Sequence, residues 1–457
     1  MNGTRPAPTR ADAGPDQEWT PTEVDFVEAI ATNTDIYALA DVLPRRPQGD
    51  AGRPNRYPAA VYVIYIVLAG VLGSHRKAAC VIANPHYWRL IRSAARKTVE
   101  LDLPRTAPTR NMCEYHRGKI AHHVEVVAAR YRELALAQAA EHGCLSPAAP
   151  RSATDLRRAN FVAADGKVAK SPILKKTADR WRAQGRRIDA TMHVQGGDTE
   201  HEIFGAKFWQ ATVRPGTDRN DRIIIDARRV PKRGYGGEAG IAVDALANLA
   251  QRAPGLRGVC YDGALRGVHI DRLLKKGLVV LSPTHSGTKP TALKRLSCTC
   301  GDTHELWTVH GRICERQILD TGESTYTPCP VRKASPRRNA DGSFRWYIDY
   351  AAPTCGTVHS ERLDTTNDDK KRDYNAEHLR LHVKTDDGDS VYDQCYGWRE
   401  DAESTNDLLQ HTLHKRRMIA FTSDKQFLVM LGFAVGRNSL ARYLRTQRSA
   451  DPPSRAA

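Results

Sequence analysis

The first third of the chain has hydrophobic residues at the spacing of α-helices. Val24, Val27 and Ile30 follow Thr22 at intervals of two or three, which predicts a helix that begins near Thr22. The run from Ala59 to Gly73 is apolar on every side, which is typical of a buried helix, and it is shorter than the roughly 18 residues that span a bilayer. Further helices are predicted at 36–43, 75–83, 86–95 and 111–140.

The pattern changes after residues 146–160, a segment rich in proline, alanine and serine that predicts a linker. Short apolar runs then indicate strands at 161–165, 190–195, 203–213, 222–227, 258–262 and 278–281, with helical spacing at 238–252 and 265–276. Several strands followed by a helix, a strand, a helix and a strand predict an α/β fold. This is the element order of an RNase H-like mixed five-stranded sheet with flanking helices.

The remaining segments complete the predicted domain organisation. Residues 284–394 are rich in threonine, cysteine and aspartate, which predicts a β-rich insertion, and helical patterns return at 396–418 and 425–445. We therefore expect seven segments: a disordered arm at 1–20, an all-α N-terminal DNA-binding domain at 21–145, the linker at 146–160, a catalytic core in two parts at 161–283 and 395–447, the insertion at 284–394 between them, and a disordered tail at 448–457.

The charge balance favours a nucleic-acid partner. The chain has 69 Lys and Arg against 52 Asp and Glu, a formal net charge of +17, spread over several basic clusters. The helices at 75–83 and 86–95, with a break at Asn84-Pro85, suit a helix-turn-helix; an ordinary helical bundle is the alternative. In the first case four basic side chains are candidates to face phosphates: Arg76, Lys77, Arg89 and Arg92.

Targeting signals and cysteine use bear on localisation. The first twenty residues contain no apolar run, which argues against a secretory signal. Ten cysteines at irregular positions are typical of a reduced setting. We expect a cytoplasmic, nucleoid-associated protein without a membrane partner.

Two acids are candidates for metal-dependent phosphodiester chemistry. Asp165 and Asp262 each follow a predicted buried strand, so their side chains are expected at a sheet edge. Converging carboxylates are the ligands that a pair of Mg²⁺ ions needs to activate water and stabilise the leaving oxygen. Each aspartate precedes a glycine, and Asp-Gly is also a common turn pair, so two turn residues are the alternative.

A third acid comes with a motif. On a helix, Tyr396, Arg399, Glu403 and Gln410 fall on one narrow stripe, beside an apolar stripe of Trp398, Ala402, Leu409 and Leu413. The polar stripe resembles the Y-x2-R-x3-E-x6-K signature of a large group of DDE-type insertion-sequence transposases, with Gln410 where that group has lysine. Lys415 or Arg417 can supply the missing charge.

The resemblance covers about residues 160–440 and implies a function. Asp165, Asp262 and Glu403 would form the catalytic triad on two Mg²⁺ ions, which Mn²⁺ can replace, and Tyr396 and Arg399 would hold phosphates. The implied partners are double-stranded DNA, as transposon ends and as target, and a second copy of the chain in a homodimer. Two alternatives stay open: a non-catalytic DNA-binding protein derived from a transposase, and an RNase H-fold nuclease that cuts without joining.

Cysteine and histidine residues are concentrated in the insertion: Cys298, Cys300, His304, Cys314, Cys329, Cys355 and His359. A structural Zn²⁺ site is conceivable there, but the C-x2-C pairs of common zinc modules are absent from the sequence. The spacing favours dispersed buried thiols instead.

Overall fold

A computed structural model describes residues 21–44, 55–195, 201–232, 236–285, 287–364, 375–383 and 391–450. In these ranges the protein is a mixed α/β fold with three β-sheets. The predicted arm at 1–20 lies outside the described residues. None of the described helices is both long and apolar enough to cross a membrane.

Helices make up the described part of the chain before residue 145. They are α1 Glu23–Thr32, α2 Thr34–Asp41, α3 Ala59–Leu72, α4 His75–Ala83, α5 Pro85–Val99, α6 Arg110–Ala121 and α7 Val124–Glu141. The helix start near Thr22 is confirmed, since Thr22 and Asp25 form a capping box. The single helix expected at 111–140 is wrong. His122 and His123 donate backbone hydrogen bonds to carbonyls three residues back, a tightened turn that ends α6 before α7 begins.

Helix α3 is buried along nearly its whole length, as its sequence predicts. Its main partner is the C-terminal helix α14, Ser423–Ala450. A Cβ at Gly70 would come within 2.3 Å of the backbone nitrogen of Phe433, so only glycine allows this close approach. The N-terminal helices therefore share one hydrophobic core with the end of the chain.

The central sheet has six strands: β1 Phe161–Lys170, β2 Thr191–Gln195, β3 His201–Val213, β4 Ile223–Val230, β5 Gly258–Cys260 and β6 Val279–Leu281. Strand β3 pairs antiparallel with β1, β2 and β4, whereas β1, β5 and β6 are mutually parallel. The spatial order is β4-β3-β1-β5-β6, and β2 also pairs with β3, on the side away from β1. Three helices accompany the sheet: α8 Lys175–Ala183, which the sequence pattern did not predict, α9 Gly237–Arg252 and α10 Gly267–Lys275.

The length of β1 corrects a prediction. The strand was expected to end at Asp165, but it continues to Lys170 because the long strand β3 pairs with it along Asp165–Lys170. Asp165-Gly166 is therefore not a turn, although Asp165 lies just beyond the part of β1 that pairs with β5.

The segment after β6 forms two small antiparallel sheets. One has the order β10-β9-β8-β7 and the other β11-β12-β13. The strands are β7 Thr291–Ser297, β8 Thr303–Val309, β9 Arg312–Ile318, β10 Ser324–Pro328, β11 Val331–Arg338, β12 Phe344–Ala351 and β13 Val358–Arg362. A β-rich segment between Asp262 and Glu403 is thus confirmed. The short helix α11, Asn375–His378, follows it.

The helix predicted at 396–418 is interrupted. Helix α12, Val391–Tyr396, leads through a 3₁₀ turn at Gly397–Arg399 into α13, Glu400–Thr412, and Leu413 is extended. Backbone angles at Tyr396, Arg399 and Glu400 remain right-handed helical, so the path is continuous but more tightly wound. Helix α14 extends to Ala450, past the tail boundary predicted at 448, because Arg448 forms ion pairs with Asp218 and Asp221.

Candidate active site at the edge of the central sheet

Asp165 lies on β1, and Asp262 follows the end of the neighbouring parallel strand β5. The register pairs Phe161 with Gly258 and Ala163 with Cys260, and two more positions along each strand lead to Asp165 and Asp262. Because side chains alternate along a strand, positions two apart share a face of the sheet. The sheet therefore brings together the two acids that the sequence analysis selected.

The environment of Asp165 raises the cost of its negative charge. Burial and then the neighbouring charges of Asp262 and Glu238 raise its pKa to about 6. Hydrogen bonds from the backbone N–H of Gly166, at 2.8 Å, and from Nδ2 of Asn406, at 2.9 Å, oppose this shift only in part. The carboxylates are thus concentrated at one place without a full set of compensating charges.

Asp262 has the same kind of environment. Burial raises its pKa, the charge of Glu238 adds to that effect, and a hydrogen bond of 3.0 Å from the backbone N–H of Ala264 lowers it. Ser282 donates a hydrogen bond of 2.6 Å to the backbone carbonyl of Asp262 and so fixes the loop that carries the side chain. Both aspartates are therefore held by backbone contacts from the sheet and its loops.

Glu238 is a third acid at this place, and the sequence analysis missed it. It lies in the first turn of α9, where Lys207 Nζ approaches it at 2.5 Å and Tyr261 donates a hydrogen bond of 2.8 Å. A Cβ at Gly166 would meet the Glu238 carboxyl carbon at 2.2 Å, so the glycine after Asp165 makes room for that carboxylate. An acid in the first turn of a helix is ordinarily a partner of the helix dipole, so the sequence does not distinguish Glu238.

Helix α13 approaches the two aspartates from the side. Asn406, nearly fully buried, is its direct contact with Asp165. Arg399 lies just before the helix. Burial lowers the pKa of its guanidinium, but interactions with Tyr396, Glu403, Asp165 and Asp262 outweigh that effect and raise it. Both aspartates are therefore close enough to act on Arg399. The tyrosine, arginine and glutamate of the motif thus belong to the surroundings of the aspartate pair.

Glu403 itself is bound to Arg399 in an ion pair, and half of its side chain is exposed. Asn406 lies three residues further on, on the same helix face. Among the described residues, Asp165, Asp262 and Glu403 do not form a set of ligand atoms all within 4.8 Å of one another. Glu403 is therefore near the aspartate pair and paired with Arg399, but it does not form a single compact cluster with the two aspartates.

A buried acid anchors α13 to the sheet. Asp401 is 4% exposed and its carboxylate binds Arg158 at 2.8 Å, Arg222 at 3.0 Å and Arg214 at 3.3 Å. On the apolar side Ala402, Leu409 and Leu413 are buried as predicted, and Trp398 packs edge-on against Phe161 with ring centroids 5.2 Å apart. These contacts set the position of Arg399, Glu403 and Asn406 relative to β1.

The other residues predicted to contact DNA are placed differently from one another. Tyr396 stacks on Tyr392, with ring centroids 4.6 Å apart, and Gln410 is half-buried. Lys415 is exposed on a left-handed backbone, whereas Arg417 donates a hydrogen bond of 2.8 Å to the carbonyl of Ser171. Lys415 is therefore better placed than Arg417 to replace the motif's lysine.

The predicted pair of short helices is present as α4 and α5. Arg76 and Arg89 are exposed. Lys77 forms an ion pair of 2.7 Å with Glu23, and Arg92 donates a hydrogen bond of 3.0 Å to the carbonyl of Leu103. Two of the four basic residues are thus occupied within the fold, which weakens the helix-turn-helix prediction for this surface.

A groove of about 560 Å³ adjoins the acids on the side of β3. Lys207, the partner of Glu238, lines it together with Arg182, Arg229 and Lys232. Three of these four cations have acidic partners in the fold: Glu238 for Lys207, Asp179 for Arg182, and Glu125 and Asp424 for Arg229. A basic groove beside an acidic site is compatible with a polyanionic ligand.

Comparison with known proteins gives no family assignment. No family model matches the chain, and neither a curated protein nor a solved structure matches it. The sequence motif and the geometry at the sheet edge remain as indications of function.

Proposed function

We propose that this chain is a DDE-type DNA transposase that cleaves phosphodiester bonds at the ends of a mobile element and joins them to target DNA. The observation that carries the proposal is that the parallel pairing of β1 with β5 brings Asp165 close to Asp262, whose charge raises the pKa of Asp165. Helix α13, which carries the glutamate of the motif, is hydrogen-bonded to Asp165 through Asn406.

The sheet topology supports an RNase H-like core. Without the extra strand β2, the sheet has five strands in the spatial order β4-β3-β1-β5-β6, which are the third, second, first, fourth and fifth along the chain. The first three pair antiparallel, and the last two are parallel to β1. The first aspartate lies on the first of these strands and the second follows the fourth, the arrangement that the resemblance implies. The β-rich insertion lies between the second aspartate and the glutamate, again as implied.

The donor set fits Mg²⁺. The acids are hard oxygen ligands. Burial and the charge of Glu238 raise the pKa of both Asp165 and Asp262, and a bound cation would favour their ionised forms. Asp165 and Asp262 would hold the metal, with Glu403 as the third ligand once it leaves Arg399. When bound, Mg²⁺ lowers the pKa of water and stabilises a leaving alkoxide.

Other side chains would bind the DNA. Arg399 has a guanidinium beside the aspartates that can hold a phosphate in two hydrogen bonds, and releasing Glu403 would free it to do so. Lys207 and the groove next to it would take the neighbouring phosphates. Tyr396, Gln410 and Lys415 extend this surface along the motif. Joining two ends to one target requires two active sites, so the active form would be a homodimer.

The alternative is a non-catalytic DNA-binding protein derived from a transposase. Two observations favour it: Gln410 replaces the motif's lysine, and Glu403 is paired with Arg399 instead of lying against the aspartates. Retention of all three acids favours catalysis, since a binding protein has no need to bury repelling carboxylates. A nuclease that cuts without joining is the second alternative, which the insertion and the motif helix disfavour.

Cleavage of DNA by purified full-length protein tests the proposal. The substrate is a plasmid carrying the sequences that flank the gene, incubated with Mg²⁺ or Mn²⁺. We expect metal-dependent nicking by wild type, and a loss of about 10³-fold or more in Asp262→Asn and Glu403→Gln with DNA binding retained. Asp244→Asn is the matched control, because Asp244 is an exposed acid on α9 whose partner is Arg272.

Each result decides between the alternatives. Binding without cleavage in either metal would support the binding protein, and cleavage without joined products would support the nuclease. Full activity in Asp262→Asn would exclude the acids chosen here.

A further inference from the structure

A separate group of side chains that can bind a metal lies in the insertion. Sulfur atoms of Cys298, Cys300 and Cys355 and a ring nitrogen of His304 all lie within 4.8 Å of one another. This corrects the sequence-based expectation of dispersed buried thiols, which holds for Cys314 and Cys329 but not for these three. We propose that Cys298, Cys300, His304 and Cys355 bind one structural Zn²⁺ ion.

The distances between the ligand atoms match tetrahedral zinc. Cys298 Sγ and Cys355 Sγ are 3.7 Å apart, and His304 Nε2 is 3.5 Å from Cys300 Sγ and 3.4 Å from Cys355 Sγ. Zinc–sulfur bonds of about 2.3 Å and zinc–nitrogen bonds of about 2.05 Å, at tetrahedral angles, give edges of about 3.8 Å between sulfurs and about 3.6 Å from sulfur to nitrogen. The four atoms are thus spaced as the corners of such a site.

The histidine is oriented as a metal ligand. His304 is 3% exposed, and its Nδ1 lies 2.6 Å from Oε1 of Glu315. With the proton on Nδ1, that nitrogen donates to the carboxylate and the lone pair of Nε2 points to the sulfurs. A carboxylate behind a histidine is the usual outer partner in zinc sites, where it fixes the tautomer and strengthens the ligand.

Backbone groups support the sulfur atoms. The N–H of Cys300 donates to Cys298 Sγ at 3.5 Å, and the N–H of Thr357 donates to Cys355 Sγ at 3.4 Å. Both cysteines lie in turns that contain a glycine with positive φ, Gly301 and Gly356. These turns aim the sulfurs inward, and their N–H groups would stabilise thiolates once the three thiol protons pass to solvent on metal binding.

The site would join the two small sheets. Cys298, Cys300 and His304 belong to the β7–β8 hairpin, and Cys355 belongs to the turn between β12 and β13. Thr354, next to Cys355, donates its hydroxyl to Glu315 at 2.7 Å, so the outer partner bridges the same two sheets. Four protein ligands leave no open position for a substrate, which is the arrangement of a structural and not a catalytic zinc site.

The first experiment measures metal in full-length protein purified under reducing conditions without chelator. We expect about one zinc per chain in wild type and less than about a tenth in Cys355→Ser and Cys298→Ser. Cys314→Ser and Cys329→Ser, which alter buried thiols of the same insertion, are the controls and should keep zinc. Wild type without zinc, even after incubation with Zn²⁺, or equal loss in variants and controls would overturn the proposal.

A second experiment needs no variant and therefore does not depend on variant folding. Cys300 and Cys80 are both exposed, so a thiol-alkylating reagent should modify both in metal-free protein. Zinc binding would protect Cys300, but not Cys80, until a chelator is added. Peptide mass spectrometry that finds equal modification of the two thiols before chelation would contradict the site. This test is independent of DNA cleavage, so its outcome does not depend on the proposed function.

Discussion

The two proposed metal sites of this molecule differ in almost every physical respect. Asp165 and Asp262 are hard oxygen donors at the edge of the central sheet, and the charge of Glu238, in the first turn of α9, adds to the effect of burial in raising the pKa of both. The cysteine and histidine group consists of soft donors fixed by two turns and one strand of the insertion. The first group is near a basic groove, whereas the second has all its ligand positions filled by protein.

On this proposal the difference would separate a site for chemistry from a site for stability. An incomplete set of oxygen ligands leaves positions for water and substrate, and its repulsion favours exchangeable cations such as Mg²⁺. A complete tetrahedral set of three sulfurs and one nitrogen favours Zn²⁺ and contributes folding free energy. A glutamate lies next to each group: Glu238 beside the aspartates and Glu315 beside His304. Replacing each of them tests this difference.

The largest effect is expected at Glu238. Glu238→Gln removes a charge beside both aspartates, so we expect the rate of Mg²⁺-dependent DNA cleavage to fall about 100-fold and the half-saturating Mg²⁺ concentration to rise. Zinc content should stay unchanged. Cleavage rates over a Mg²⁺ titration, with Asp244→Asn as control on the same helix, measure this. An unchanged rate and metal dependence would assign Glu238 to helix α9 alone.

The equivalent change at the second group is Glu315→Gln. Loss of the carboxylate behind His304 should weaken zinc binding about 10-fold, because the imidazole becomes a poorer ligand and is less well oriented. Competition with a chromophoric chelator measures the affinity. Glu305→Gln, on the neighbouring strand and paired with Arg295, should have no effect. If both variants release zinc alike, Glu315 has no special role.

A smaller effect concerns stability. Asp165 has a raised pKa in the folded protein, so the native state binds the proton more tightly than the unfolded chain does. The stability that this group contributes therefore falls as pH rises from about 4 to about 6. Asp165→Asn avoids that loss. In Mg²⁺-free buffer without chelator we expect the variant to be more stable than wild type by about 1 to 2 kcal/mol at pH 7.

Denaturant unfolding of both proteins at pH 4 and at pH 7 measures this difference. The gain should disappear at pH 4, where wild-type Asp165 is protonated. A variant that is less stable at both pH values would show that repulsion at the acid pair is not a cost to the fold.

The smallest effect is expected at Gln410. Gln410→Lys restores the motif's cation, so affinity for duplex DNA should rise about 2- to 5-fold at low salt, and the salt dependence should steepen by about one phosphate contact. Gln317→Lys adds the same charge at an exposed position of the insertion and serves as control. Equal gains in both variants would reflect net charge alone, and would remove Gln410 from the proposed surface.

Local patterns predicted much of the fold and part of the acid site. The helix start near Thr22, the buried run of α3 and the alternation of strands and helices depend on near neighbours in sequence, and these elements were confirmed. The exact extent of β1 depends on its pairing with the long strand β3, which its own ten residues do not encode. The 3₁₀ turn at Gly397–Arg399 likewise depends on tertiary packing.

The features that sequence analysis missed are set by tertiary structure. Glu238 reaches the aspartates because Gly166 leaves room for it across the sheet. Cys355 joins the ligands of another hairpin because two sheets lie side by side, and its distance along the chain gave no sign of this. Spacing rules detect ligands that lie on one turn or helix, so sites assembled from separate hairpins escape them.

The packing of α3 against α14 has a consequence for how the chain is made. The buried hydrogen bond from Asn33 to Ser439 joins residues 406 positions apart, and the apolar surface of α3 finds its main partner in the last helix of the described chain. During synthesis from the N-terminus, that surface emerges from the ribosome long before its partner does. The apolar surface of α3 therefore stays without its main partner until α14 has been synthesised, and apolar surface that is exposed in this interval favours aggregation of the nascent chain.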